Sequence, residues 1–199
     1  NERRTSSALR LRETPTMTTI TTYDIVTNKD VRFSPHAWRT TMALAHKGID
    51  FDCKKVAFTD IPGICDGERK IVPTIEHGEK TISDSWAIAL HLEEAFPEGP
   101  SLFGGEKGKA HAQFIHNWAG FSLHPLVIRI ILMDIYDRLL EKDRDYFRTS
   151  RESRFNMTLE EFAAGGDAAK DKLKITLMPM SQTLANQEWL GGKVPSYAD

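Results

Sequence analysis

Cysteine is almost missing from this chain: Cys53 and Cys65 are its only two in 199 residues. Their separation excludes a disulfide-stapled secreted framework, a Cys-x-x-Cys redox pair and a zinc motif, so a reducing, cytoplasmic setting is expected. Runs of one charge sign are missing too. With 26 Lys+Arg against 28 Asp+Glu the formal net charge is −2, which leaves no electrostatic footprint for nucleic acid or an anionic membrane. The most apolar stretch, 126–133, is short and carries Arg129, whereas a bilayer span needs about 20 predominantly apolar residues. No nucleic-acid and no membrane partner is therefore expected. What remains, 40% hydrophobic and 27% charged residues, fits one or two ordinary domains that act on small molecules or proteins.

The two ends are unusual. Residues 1–16 (NERRTSSALRLRETPT) hold four Arg, two Glu and no apolar core, so they read as a disordered leader or a by-product of how the sequence was derived; Glu2 and Glu13 argue against a transit peptide. At the other end Ser196-Tyr197-Ala198-Asp199 has the spacing of a helix-initiating capping box, with Asp in place of Glu or Gln. No helix follows, so the box is either a frayed turn or the start of a helix that is absent.

Between the ends the pattern is βαβ-ββα and then helical. Residues 19–27 and 50–58 read as strands around a helix at 35–47, which Ser34-Pro35 opens and Gly48 closes. That spacing is the length of a parallel βαβ unit. Short strands at 71–76 and 80–82 flank a His77-Gly78 turn, and Pro73 interrupts the first. Ile88, Leu92 and Phe96 recur at helical spacing within 83–96, and Pro97 ends the run. The Pro/Gly-rich connector 97–105 marks the domain boundary. Beyond it, helices are expected at 107–122, 126–142 and 158–187, the last broken at Gly165-Gly166, with a charged loop at 143–154. Thr158 and Glu161 have capping-box spacing.

Three pieces of chemistry stand out. A Ser34 hydroxyl at the start of the first helix sits beside free N–H groups and the positive end of the dipole, a place for an anion or a thiolate; alone it is equally a plain N-cap. A thiol of pKa about 8.5 is only about 3% ionised at pH 7. Lowering it by about two units requires about 2.7 kcal/mol, within reach of one hydrogen bond to a charged group plus the dipole. Pro73 inside a strand implies an edge, a bulge or a cis turn, and leaves main chain free to pair with an extended peptide. Ser83-Asp84-Ser85 opens the next helix, where N–H groups and the Ser85 hydroxyl can hold a carboxylate and Asp84 an ammonium, or serve only as a cap.

Taken together, Ser34-Pro-x-x-Trp-Arg, Val72-Pro73-Thr74 and Asp84-Ser85-Trp-Ala-Ile, followed by a helical half, resemble the glutathione transferase superfamily. The resemblance is to its serine-type fungal members and to the bacterial β-etherases that cleave lignin-derived aryl ethers. It implies a thioredoxin-like, α/β glutathione-binding domain at 17–98, joined to an all-α C-terminal domain at 104–199. The capping box at 196–199 resembles the one that opens the central helix of that domain, so the C-terminal domain is read as incomplete. By the same resemblance Ser34 donates to the thiolate of the co-substrate glutathione. Val72 pairs its backbone with the cysteinyl unit beside cis-Pro73, Asp84 and Ser85 hold the γ-glutamyl head, and Lys70, with Arg69 as the other choice, meets the glycine carboxylate.

The implied activity is a detoxification-type transferase that conjugates glutathione to, or uses it to cleave, a small aromatic electrophile or aryl ether. The alternatives are a non-turnover ligandin for hydrophobic or flavonoid-like ligands and a member with a vestigial site. A homodimer is also implied. Phe114, Trp118 and Phe121 make an aromatic stripe that is either core or the wall of an electrophile pocket. No metal is expected: His111 and His116 lack ligand spacing, and His91-Leu-Glu-Glu-Ala is not a His-Glu-x-x-His motif.

Overall fold

The computed structural model describes residues 19–199; the leader read at 1–16 lies outside the described residues. Strands β1 (Ile20–Ile25), β2 (Phe51–Val56), β3 (Thr74–His77) and β4 (Lys80–Ser83) form a sheet of order β2-β1-β3-β4. β1 and β2 run parallel and the other two pairs antiparallel. Helix α1 (Pro35–His46) makes the crossover the sequence implied, and Gly48 closes it at φ +67°, a left-handed conformation that glycine adopts without a Cβ clash. Helix α2 (Ser85–Ala95) packs beside α1 on the same layer. Ile20, Leu44, Ile75, Ile88 and Leu92 fill the space between sheet and helices. This is the thioredoxin-like arrangement that the βαβ-ββα pattern implied.

The second half is helical: α3 (Glu106–Trp118), α4 (His124–Arg138), α5 (Glu141–Phe155), α6 (Leu159–Ala164) and α7 (Gly166–Leu184). Three details differ from the sequence reading. First, α3 and α4 are not separate, because a π-helical turn at Ala119–Leu123 joins them into one helix, Glu106–Arg138. Pro125 lies in the first turn of α4, where its missing N–H costs little. An 18-residue window of the fused helix has a mean hydropathy of 1.4, which makes it long and apolar enough to cross a membrane by length and composition. The run 126–133 alone was too short for that. The helix packs along α6 and α7, and its Arg129 guanidinium lies 4.3 Å from the Phe162 ring centre. A Cβ at Gly165 would sit 2.5 Å from Arg129 Nη1, so the Gly165-Gly166 break makes room for that side chain.

Secondly, 143–154 is not a solvated loop but most of α5. Its inward stripe is narrow: Asp143, fully buried, and Phe147, 2% exposed, face the N-terminal half, while Arg151 lies over the rings of Phe58 and Phe147. Asp143 accepts from the Phe58 and Thr59 N–H groups (2.9 and 3.0 Å) and from the Thr59 hydroxyl (2.9 Å). It thereby caps the 3₁₀ turn Phe58–Gly63 of the other half. Lys142 adds a pair with Asp60 beside it. Thirdly, the terminal box is no frayed turn. The Asp199 carboxylate accepts from the N–H groups of Leu190, Gly191 and Ser196, and Tyr197 and Ala198 pack against the core of the N-terminal half.

One buried group is poorly served. Asp24, on the β1 face toward α1, is 2% exposed, neither carboxylate oxygen has a hydrogen-bond partner, and the nearest cation, Arg32 Nε, is 3.9 Å away. Burial therefore pushes its pKa up to about 6, against the opposing pull of Arg32. A folded-state pKa above the unfolded value favours the protonated form, so stability from this group is fully present below pH ~4 and is lost as pH rises through ~6. Asp24→Asn is expected to remove that slope and to raise stability above pH 7 by about 2 kcal/mol, a Tm gain of about 4–8 °C. Melting curves of both proteins between pH 4 and 8 check it, and parallel slopes would refute the assignment.

Candidate functional site

The site gathers where β1 ends, α1 begins and β3 begins. After β1 the chain turns through a bridge between Val26 and Arg32 and delivers Ser34 as the N-cap of α1, extended at φ −71°, ψ 115°. Ser34 Oγ accepts from the Ala37 N–H at 3.2 Å. A hydroxyl has two lone pairs and one proton; the cap takes a lone pair, and the proton has no acceptor among the described residues. The residue is only 4% exposed, so the hydroxyl is held in a fixed place rather than dissolved in water.

β3 runs antiparallel to β1, with Thr74 opposite Tyr23, which brings the segment just before β3 to the end of the sheet from which the chain leaves for Ser34. There the Val72-Pro73 bond is cis. Neither the N–H nor the C=O of Val72 is hydrogen-bonded among the described residues, whereas the Pro73 carbonyl accepts from the Asp84 N–H at 3.1 Å. That bond ties the proline turn to the start of α2. Asp84, not Ser83, is the N-cap: its Oδ1 accepts from Trp86 and Ala87 (2.9 and 3.0 Å) and its backbone sits at φ 82°, strained for a residue with a Cβ. Its second carboxylate oxygen is left over. Ser85 follows in the first turn of α2; it is 2% exposed and its hydroxyl has no hydrogen-bond partner among the described residues. Strain plus an orphaned buried hydroxyl at one helix start marks a place built for something other than stability.

The two basic candidates separate cleanly. Arg69 is paired with Asp66, and Lys70 is exposed with no ion pair among the described residues, so Lys70 is the one available to a ligand carboxylate. The aromatic stripe behaves as neither reading proposed. Phe114 and Phe121 are 68% and 83% exposed, so they are not core, and they line no cleft. The apolar cleft beside the site instead lies between the loop before Ser34 and the end of α4. It measures about 380 Å³ and is walled by Val31, Phe33, Ile131 and Ile135, with Lys29 and Arg138 at its rim. These residues are far apart in sequence, and no spacing pattern announces them.

A second layer of residues was also not foreseen. His36, in the first turn of α1, lies 5.4 Å ring to ring from His124, and burial, helped by Arg39, pulls its pKa down to about 4, so it is neutral at physiological pH. Arg39 Nη1 lies 3.3 Å from His116 Nδ1. A guanidinium only donates, so Nδ1 is the accepting nitrogen and His116 carries its proton on Nε2; burial and Arg39 also hold its pKa below the usual histidine range. Among the described residues no group of three or more His, Cys, Asp or Glu side chains is placed to hold a metal ion.

A thioredoxin-like sheet with a cis-proline before β3, a serine-capped α1, an Asp-Ser helix start and a helical second half define a thiol-peptide-binding class of protein. Models of the glutathione S-transferase N-terminal domain and C-terminal domain match residues 33–95 and 110–199: the chain belongs to the glutathione S-transferase superfamily. Glutathione S-transferase 1 of Dianthus caryophyllus is 41% identical over 108 residues, covering 52% of this chain and 49% of the relative. The matched region thus spans about half the length of that curated relative. Among solved structures, a glutathione transferase of Phanerochaete chrysosporium superposes with a TM-score of 0.79 at 27% identity, covering 90% of this chain and 80% of the other. A glutathione S-transferase of Ceriporiopsis subvermispora, solved in complex with glutathione, gives 0.78 at 28% identity over the same shares.

Proposed function

We propose that the chain is a glutathione transferase in which Ser34 stabilises the glutathione thiolate for attack on a small apolar, aromatic electrophile. The observation that carries this reading is the set of unpaired groups left at one end of the sheet. The Ser34 proton, the Val72 main chain and the Ser85 hydroxyl are all without partners among the described residues, and they match in kind a thiolate, a peptide unit and an α-carboxylate. Asp84 supplies a free carboxylate oxygen for the α-ammonium, and Lys70 an unpaired cation for the glycine carboxylate.

In the proposed reaction, glutathione binds as an added edge beside cis-Pro73, and its sulfur lies at the Ser34 hydroxyl, next to the N-terminus of α1. Donation from Ser34 and the helix dipole favour the anion, so the thiol proton passes to water. The sulfur then forms a bond to the electrophilic carbon, and the leaving group departs with its electron pair. The 380 Å³ cleft walled by Phe33 and Ile135 suits an apolar ring system. The protein works by positioning and electrostatics and forms no covalent intermediate. Cleavage of an aryl ether is the same step with an aryloxide or ether oxygen as the leaving atom. A homodimer and a cytoplasmic location are part of this proposal.

Titration calorimetry of the chain with reduced glutathione tests the reading: saturable heat at micromolar to millimolar concentrations is expected, and none would remove it. Turnover of a chloronitrobenzene or a β-aryl ether model then separates a transferase from a ligandin, which would bind glutathione and an apolar dye in the cleft without consuming either.

A further inference from the structure

The terminal segment reaches back into the head-group end of the proposed site. The Asp199 carboxylate clamps the N–H groups of Leu190, Gly191 and Ser196, and the Tyr197 N–H donates to the Leu102 carbonyl at 2.7 Å. Between these anchors the Tyr197 ring is fixed against Trp86 (5.3 Å), Phe103 (5.7 Å) and His116 (6.1 Å). Its hydroxyl lies 3.4 Å from His116 Nδ1 and beside the Ser85 hydroxyl, which with Arg39 partly offsets the burial that raises the Tyr197 pKa.

The direction of the protons follows from who can accept. The lone pair of His116 Nδ1 is already taken at 3.3 Å by Arg39, which can only donate. The Tyr197 proton is therefore steered away from His116, and the available acceptor is Ser85 Oγ, buried at 2% exposure and otherwise without a partner. A serine oxygen that accepts from a tyrosine turns its own O–H outward, toward the free start of α2, where it can donate to a carboxylate. Asp84 caps the helix next door and repels a carboxylate, so a fixed donor matters there.

We infer that Tyr197 is a positioning residue for the γ-glutamyl α-carboxylate, acting by holding the Ser85 hydroxyl as a donor through the chain Arg39–His116–Tyr197–Ser85. This rests on the reading of the site as a glutathione site. Loss of one neutral hydrogen bond is worth about five- to tenfold in affinity. Tyr197→Phe, which keeps the ring packing, is expected to weaken glutathione binding by about fivefold. The KM for glutathione should rise by the same factor, with kcat within about twofold. Two controls distinguish positioning from general loosening. An analogue lacking only the α-carboxylate, 4-aminobutyryl-cysteinyl-glycine, should bind wild type and Tyr197→Phe equally. In a Ser85→Ala background Tyr197→Phe should add nothing, because the two act as one unit. Unchanged glutathione affinity in Tyr197→Phe, an equal loss for the analogue, or a loss that persists with Ser85→Ala each overturns the inference. If wild type binds no glutathione at all, the functional reading itself fails and the inference falls with it.

Discussion

Ser34→Ala is expected to lower kcat/KM for a model aryl halide by about thirtyfold at pH 7 while leaving glutathione bound. The magnitude follows from the single contact removed. A hydrogen bond to a charged acceptor is worth about 1.5–3 kcal/mol, and each 1.4 kcal/mol is tenfold. Ground-state binding survives because the free main chain at Val72 and the polar groups at Asp84 and Ser85 do not depend on this hydroxyl. The pH–rate profile carries the sharper signature: without the Ser34 donor, the bound thiol titrates nearer its ordinary value of about 8.5, and activity recovers as pH rises. Ser34 is also the cap of α1, and losing that bond costs about 1 kcal/mol of stability, visible as a small fall in Tm. Ser34→Thr keeps both the cap acceptor and the O–H and should restore the wild-type profile. An unchanged profile in Ser34→Ala would remove the thiolate mechanism even if binding stood.

The N-terminal half was legible because its chemistry is local. A cap must precede its helix by one residue, so Ser34-Pro35 and Asp84-Ser85 declare themselves. A proline in a strand has few permitted forms, and at Pro73 it takes the cis one. The helical half was legible in class but not in detail. The average polarity of α5 hides a helix that buries only the stripe Asp143, Phe147 and Arg151, whose spacing of four is visible once the buried residue is allowed to be an aspartate. The fusion of α3 and α4 was hidden because His124-Pro125 looks like a break unless a π turn places the proline in the first turn after it. The cleft walls and Tyr197 had no signal at all. Val31 and Ile135 meet only because the Asn28 N–H bonds the Arg138 carbonyl at 2.8 Å, and Tyr197 reaches Trp86 only through closure of more than a hundred residues of chain. Pattern reading sees neighbours along the chain, whereas a site shared by two domains is set by how they dock.

That docking supplies the second large effect. Asp143→Ala is expected to destabilise the protein by about 3 kcal/mol, a fall in Tm of about 6–12 °C. The substitution does not merely delete a surface charge. It leaves the N–H groups of Phe58 and Thr59 and the Thr59 hydroxyl without their shared acceptor, at a contact where the carboxylate is fully buried. Each stranded donor costs about 1 kcal/mol or more. The neighbouring Lys142–Asp60 pair cannot compensate, since both side chains are about half exposed and such pairs contribute little. Amide hydrogen exchange locates the damage: protection should be lost first at Phe58 and Thr59, and in the first turn of α5, while β1 and α1 keep theirs. Asp143→Asn retains one accepting oxygen but turns an amide N–H₂ toward a donor, so its loss should fall between wild type and alanine. Thr59→Val removes only the hydroxyl bond and should cost about 1 kcal/mol. Equal exchange at Phe58 and Thr59 in wild type and Asp143→Ala would mean that the two halves are held together elsewhere. The position of Ser34 would then not depend on this staple, because Phe33, the residue before it, packs on Phe58 at 5.9 Å between ring centres and through Phe58 on Phe147 at 5.6 Å.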